Sequence, residues 1–269
     1  MNRTLESRRP GTMNVKQLFQ LDGQVALVTG GSRGLGLQMA QALGEMGCRV
    51  AISARKEDEL KKAKERLSEV GVDAWTVAHD LQQTDRAASL VDNVVSNLGP
   101  IDILINNAGA TWGAPAEDYP DDAWHKVMNL NVTSPFFLAR EVGRRCMIPR
   151  KHGKIINVAS IAGLRGMASG VHTIAYNTSK AAVINFTRAL ASEWGRYGIN
   201  VNAICPGFFP SKMSAGLLDH IGDKVIEGTP LQRLGGDEDL KGAAVFLASA
   251  ASRHITGQYL AVDGGASAV

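Results

Sequence analysis

The chain has 269 residues, of which 45% are hydrophobic and 20% charged, and its formal net charge is +3. A chain of this size buries a large core as one α/β domain, and no apolar run approaches the ~18 residues that suggest a membrane span. Much of the excess positive charge comes from Arg3, Arg8 and Arg9 near the start, so the rest of the chain offers no electrostatic basis for nucleic-acid binding. Cys48, Cys146 and Cys205 have no C-x-x-C spacing, which argues against a disulfide framework or a zinc site and points to a reducing cytoplasm. No metal site is expected. Residues 1–13 are polar and lack the apolar stretch of a secretory signal, so they are expected to be a disordered tail before a domain over 14–269.

In chain order, the apolar run Val25-Ala26-Leu27-Val28 predicts a buried strand, followed by Thr29-Gly30-Gly31-Ser32-Arg33-Gly34-Leu35-Gly36 and an amphipathic helix to about Met46. Strand, glycine turn and helix in that order suit a dinucleotide phosphate loop. Gly30 allows the tight turn, Gly34 a close approach of backbone to a pyrophosphate, and Gly36 close packing of helix on strand. The helix N-terminus then offers unpaired N–H groups and partial positive charge to the phosphates. Arg49 to Ser53 predicts the second strand, Glu57 to Val70 a charged helix, Asp73 to Ala78 the third strand and Thr84 to Leu98 a helix with one apolar face. Ile101 to Ile105 predicts the fourth strand, closed by Asn106-Asn107-Ala108-Gly109.

A long helix is expected over about Asp121 to Arg150, with Asn131 inside it, then a strand over Lys154 to Val158 and a loop from Ser160 to Thr173. A helix over Ala175 to Tyr197, a strand over Asn200 to Ile204, an irregular section, a helix near Asp237 to Ser249 and a strand over Gln258 to Val262 complete the chain. Strand and helix alternate throughout, which predicts a parallel sheet with helices on both faces.

At the end of the second strand a dinucleotide enzyme places a carboxylate for the ribose 2′-hydroxyl or a cation for a 2′-phosphate. Here the sequence reads Ser53-Ala54-Arg55-Lys56, with no acid at that turn. Arg55 can clasp a phosphate through its planar fork, with Arg33 in the glycine loop as a second charge, so NADP(H) is expected over NAD(H). Tyr176 and Lys180 stand four residues apart on one helix face. A phenol with a pKa near ~10 exchanges protons poorly at neutral pH. A neighbouring cation is expected to lower that pKa and make Tyr176 a proton donor to a carbonyl oxygen. Ser160, just past a C-terminal strand end, is either a cap of the following turn or a hydrogen-bond donor that orients the substrate oxygen. Asn131, polar in an apolar stretch, needs partners if buried and is read as holding a water that relays protons toward Lys180.

Taken together, the glycine loop at Thr29 to Gly36, Asp80-Leu81, Asn106 to Gly109, Asn131, Ser160, Tyr176 with Lys180, and Pro206-Gly207 resemble the short-chain dehydrogenase/reductases from about Leu21 to Gly265. The resemblance implies a single doubly wound Rossmann domain, a seven-stranded parallel sheet of order 3-2-1-4-5-6-7, and a catalytic set of Asn131, Ser160, Tyr176 and Lys180. It further implies an adenine bond from Asp80, cofactor contacts at Ser32, Leu35, Leu81, Asn107, Ala108, Gly109, Pro206 and Gly207, a nicotinamide-ribose bond from Lys180, and carboxamide contacts at Phe209 and Ser211. A homotetramer joined through the two long helices and the C-terminal region is the usual assembly of such proteins.

Ser211 stands where threonine is usual, and the loop to Tyr176 is longer than usual, with Met167, Ala168, Ser169, Gly170, Val171 and His172 over the carbonyl site. Ala162, His172 and Met213 are the candidate substrate contacts beside Ser160 and Tyr176. Local phrases such as Asn107 to Ala114 and Pro206 to Met213 look like the NADPH-dependent 3-oxoacyl reductases of the rhamnolipid-biosynthesis type. The expected reaction is reduction of a small-molecule ketone, a 3-oxoacyl thioester first. The alternatives are a gluconate 5-dehydrogenase-like keto-sugar-acid dehydrogenase, in which Arg165, His172 or Lys212 meets the substrate, and a cofactor-sensing protein without turnover.

Overall fold

The computed structural model describes residues 12–167 and 170–269. The sequence reading of residues 1–11 as a tail, and of Ala168 and Ser169 as part of the loop before Tyr176, lies outside the described residues. A short helix that the sequence did not suggest, α1 (Val15–Phe19), begins where Asn14 and Gln17 form a reciprocal capping box. The chain then alternates as expected through β1 (Val25–Thr29), α2 (Gly34–Glu45), β2 (Arg49–Ala54), α3 (Glu57–Glu69), β3 (Ala74–Ala78), α4 (Ala87–Leu98) and β4 (Ile103–Asn106). Its second half contains α5 (Asp121–Met128), α6 (Ser134–Val142), β5 (Gly153–Val158), α7 (Ile174–Trp194), β6 (Ile199–Pro206), α8 (Ala215–Glu227), α9 (Lys241–Ala248) and β7 (Tyr259–Val262).

All seven strands form one sheet in the order β3-β2-β1-β4-β5-β6-β7, and every pair is parallel. The register sends successive side chains to opposite faces. Ala26, Val28, Val50, Ile52, Ile103 and Ile105 pack with Met39 and Leu43 of α2, Leu60 and Leu67 of α3, and Ala244 and Leu247 of α9. Val25, Leu27, Ala51 and Leu104 pack on the other face with Leu90, Val91 and Val94 of α4, Leu138 and Val142 of α6, and Leu190 of α7. Burial on both faces is why β1 reads as an unbroken apolar run rather than an alternating one.

Two expectations are corrected. The section between β6 and α9 is not irregular, because α8 occupies Ala215–Glu227. Gly216 and Gly222 have open space where a Cβ would project; such glycines weaken a helix by only about 1 kcal/mol each against alanine, yet they read as breakers in the sequence. The long helix expected over 121–150 is interrupted by two wider π-helical turns, Asn129–Thr133 and Gly143–Met147. The first of these turns carries Asn131, and such turns recur at functional sites because they re-aim a side chain without ending a helix.

Candidate active site

The C-terminal ends of β1, β2, β3, β4, β5 and β6 open into one cleft of ≈ 1140 Å³, the place where open parallel sheets collect ligands. Every catalytic, cofactor and substrate contact named for the reductase reading lines this cleft except Gly36 and Asn131, both of which act one layer behind it. Gly30 turns at φ +63°, and a Cβ there would lie 2.9 Å from Asn107 Nδ2. Asn107 holds the loop in that position: its Nδ2 donates to the carbonyls of Thr29 (2.9 Å) and Gly30 (3.2 Å). The N–H groups of Asn107 and Ala108 in turn donate to Thr29 Oγ1. A Cβ on Gly36 would overlap Asn107 Nδ2 and the Gly30 carbonyl, so helix α2 can seat this close only on glycine. Gly34, at φ +53°, faces open space, with Ser211 Cβ 4.0 Å away as its nearest neighbour.

This cradle fits a dinucleotide. At its adenosine end stand Arg33, Arg55 and Lys56, and Asp80 accepts from the Gln82 N–H at 3.0 Å, which shapes the turn after β3. Two buried polar atoms facing this region, Ser53 Oγ and His79 Nε2, have no hydrogen-bond partner among the described residues, as expected where a polar ligand completes the bonding. Burial lowers the His79 pKa, with Arg86 adding to the effect, which favours a neutral imidazole. Sequence reasoning did not single out Ser53 or His79, and it also missed an acid: Glu59, in the first turn of α3, lines the same end of the cleft. Residues 53–56 carry no acid, but the folded site gains one from α3.

At the other end, Ser160, Tyr176 and Lys180 converge. Ser160 caps the turn that follows it, its Oγ accepting from the Ala162 N–H at 3.1 Å, and it also hydrogen-bonds the Tyr176 phenol. Lys180 is buried, donates to the Val158 carbonyl at 2.7 Å and lies 5.5 Å from the Tyr176 ring centre. The expected lowering of the Tyr176 pKa is not found: burial raises it, and the bond from Ser160 only partly opposes that rise. Burial also lowers Lys180 to about 8, which weakens the cation that was to stabilise the phenolate. Burial thus holds the proton on the Tyr176 phenol more firmly than on a free tyrosine.

Asn131 makes its three bonds elsewhere. Its Oδ1 accepts from the Ala110 N–H (2.8 Å), and its Nδ2 donates to the Ala110 carbonyl (2.9 Å) and Ser179 Oγ (2.9 Å). Through these bonds it clamps the segment after β4 against α7. Phe209 packs its ring into the core under Gly235 and accepts from Ser214 Oγ through its carbonyl at 2.6 Å, so only its backbone is available to a ligand. Ser211 Oγ lies 3.0 Å from Ser214 Oγ at the start of α8.

The cleft wall beyond Tyr176 carries the apolar Ala114, Pro115, Val171, Phe208, Met213 and Leu217, with Thr111, His172, Thr173, Lys212 and Ser214 among its polar members. Arg165 does not line the cleft; it donates to the Val269 carbonyl at 3.0 Å. Among the described residues no group of three His, Cys, Asp or Glu side chains can hold a metal ion, and no helix is long and apolar enough to cross a membrane.

Residues 30–267 match the family model described as enoyl-(acyl carrier protein) reductase. The chain is 39% identical over 255 residues to gluconate 5-dehydrogenase of Gluconobacter oxydans, covering 94% of this chain and 98% of that protein. It is 40% identical over 256 residues to the rhamnolipids biosynthesis 3-oxoacyl-[acyl-carrier-protein] reductase of Pseudomonas aeruginosa, covering 92% and 97%. A gluconate 5-dehydrogenase of Burkholderia cenocepacia, solved in complex with NADP and tartrate, superposes with a TM-score of 0.89 at 36% identity, covering 95% of this chain and 100% of that one.

Proposed function

The chain belongs to the short-chain dehydrogenase/reductase family, and from that premise we propose that it is an NADP(H)-dependent oxidoreductase that reduces a 3-oxoacyl thioester to its 3-hydroxy product. The convergence of Ser160, Tyr176 and Lys180 at one end of a dinucleotide-shaped cleft carries this reading. Bound NADPH supplies the hydride to the carbonyl carbon. Tyr176 gives its phenolic proton to the carbonyl oxygen as charge develops there, and its burial keeps that proton on the phenol until it is needed. Ser160 Oγ holds the same oxygen against Tyr176. Lys180 anchors the end of β5 through Val158 and, with a pKa near 8, re-protonates the phenol after transfer. Asn131 keeps Gly109 and Ala110 in place beside Lys180. Arg55 and Arg33 hold the 2′-phosphate.

The apolar wall formed by Pro115, Val171, Phe208, Met213 and Leu217 supports an acyl chain as the substrate's body. The engagement of Arg165 with Val269 removes one of the three polar contacts a sugar acid was to use. The second reading, a keto-sugar-acid dehydrogenase, rests on the similarity to gluconate 5-dehydrogenases and on His172 and Lys212 in the cleft wall. The test is the initial rate of NADPH oxidation with a short 3-oxoacyl thioester beside a 5-keto sugar acid. Turnover of the thioester supports the first reading; turnover of the sugar acid alone replaces it with the second. The same reading places the protein in the cytoplasm as a homotetramer, whose contact faces include the exposed Phe136 of α6 and Tyr259 and Leu260 of β7.

A further inference from the structure

The adenosine end of the cleft carries a carboxylate among its cations, and their pairing is specific. Glu59 Oε1 accepts from Arg33 Nη1 at 2.9 Å and lies 3.7 Å from Lys56 Nζ. Arg55, which is exposed at the same end, has no ion-pair partner among the described residues. Two of the three cations therefore already face an anion that belongs to the protein. A 2′-phosphate approaching Arg33 meets a guanidinium that already donates through Nη1 to a carboxylate, and it also meets the charge of Glu59 itself. A ribose 2′-hydroxyl meets the opposite situation, because it leaves the Arg33 pair intact and can donate to a carboxylate. The Glu59 side chain is 23% exposed, so the carboxylate is partly withdrawn from solvent and its field is less screened than that of a free surface acid.

We propose that Glu59 is a specificity-determining residue: by holding Arg33 it tempers the preference for a 2′-phosphate set by Arg55, so that the cleft accepts NAD(H) as well as NADP(H). The inference rests on the dinucleotide reading of the cleft and deepens it. Arg55 alone would make the site a phosphate clasp. Glu59 makes it a balance, in which the phosphorylated ligand gains Arg55 and must compete for Arg33, while the unphosphorylated ligand keeps a carboxylate acceptor.

The experiment is calorimetric titration of the full chain with 2′,5′-ADP and with 5′-ADP, probes that need no turnover. The wild-type chain binds both, the first more tightly. Glu59→Gln raises the affinity ratio by about threefold to fivefold, the range available from one partly exposed charge pair. In an Arg33→Gln background the same Glu59→Gln change moves the ratio by less than half as much, because the cation it was holding is gone. Arg33 makes no side-chain cap bond at the start of α2, and Glu59 is not fully buried, so both variants leave the core untouched. Thermal melting before titration establishes that each is folded. A ratio unchanged in Glu59→Gln overturns the inference, as does an equal change with and without Arg33, which assigns the effect to direct repulsion. Failure of the wild-type chain to bind either nucleotide instead overturns the dinucleotide reading on which the inference stands.

Discussion

Replacing Asn131 with alanine tests the link between the π-helical turn and the site. Asn131 is 1% exposed, and its amide makes two bonds to the backbone of Ala110 and one to Ser179 Oγ, at 2.8, 2.9 and 2.9 Å. Ser179 retains a partner, since its hydroxyl also donates to the Tyr176 carbonyl at 2.7 Å, but both polar groups of Ala110 lose theirs. Each hydrogen bond contributes about 1 kcal/mol net, a donor or acceptor left behind costs about 1–3 kcal/mol, and a small cavity adds to the loss. Partial access of water to Ala110 limits the total, so a destabilisation of about 2–4 kcal/mol is expected. For a protein of this size that lowers Tm by roughly 4–7 °C.

The functional consequence is separate from the loss of stability. A Cβ on Gly109 would lie 3.3 Å from Asn131 Oδ1 and 3.7 Å from Lys180 Nζ, so loosening this segment frees the wall against which Lys180 is placed. Turnover in Asn131→Ala should fall by at least tenfold at a temperature where the variant is fully folded, with nucleotide affinity falling less. Asn131→Asp keeps the acceptor for the Ala110 N–H but loses both donors and buries a charge, so it should be no more stable than the alanine variant. Urea unfolding and steady-state kinetics on both variants provide the measurements. An Asn131→Ala protein that unfolds within 0.5 kcal/mol of wild type, by rough convention the range of neutral surface changes, refutes the clamp.

Three further outcomes follow from the same structure. Lys154 is 5% exposed, has a single 3.3 Å bond to Ser252 Oγ, and burial lowers its pKa to about 8. The unfolded chain therefore binds more protons than the native state between about pH 8 and the ordinary lysine value of 10.5, and this group's contribution to stability rises with pH across that window. Lys154→Met should be more stable than wild type by on the order of 2–3 kcal/mol at pH 7. That advantage should shrink from pH 8 to 10 in parallel urea titrations, and an advantage independent of pH would contradict the assignment. Gly36→Ala forces α2 off Asn107 and the Gly30 carbonyl, at a cost of about 1–3 kcal/mol, and should weaken NADPH binding at least tenfold in a fluorescence titration; unchanged affinity would mean the loop yields without cost. Arg55→Asp should lower the NADPH/NADH ratio of kcat/KM by about a hundredfold, and an unmoved ratio would remove Arg55 from the 2′-phosphate site.

The sheet was legible in the sequence because its strands are buried on both faces and therefore stand out as apolar runs between turn residues, Val25–Thr29 most plainly. The glycine loop and the Tyr176, Lys180 pair were legible because their spacing is local: a tight turn and one helical turn each bring their own residues together. What depended on distance was not. Glu59 reaches Arg33 across 26 positions, and Asn131 reaches Ala110 across 21, so neither bond leaves a local pattern. The pKa of Tyr176 was misjudged because sequence shows the cation four residues away but not how far burial withdraws both groups from water. Helix α8 was hidden by glycines that mark turns in most contexts and here stand on an open helix surface.

The most direct test of the central claim is Tyr176→Phe, assayed in parallel for NADPH binding by fluorescence and for carbonyl reduction by NADPH oxidation. The variant keeps the aromatic ring and removes the phenolic hydroxyl, and with it the proton and the bond to Ser160. The account predicts NADPH affinity within about threefold of wild type and turnover reduced by a factor on the order of a thousand. Turnover close to wild type would contradict Tyr176 as the proton donor, and a wild-type chain that binds NADPH but reduces no carbonyl substrate would make the protein a nucleotide sensor instead of an enzyme.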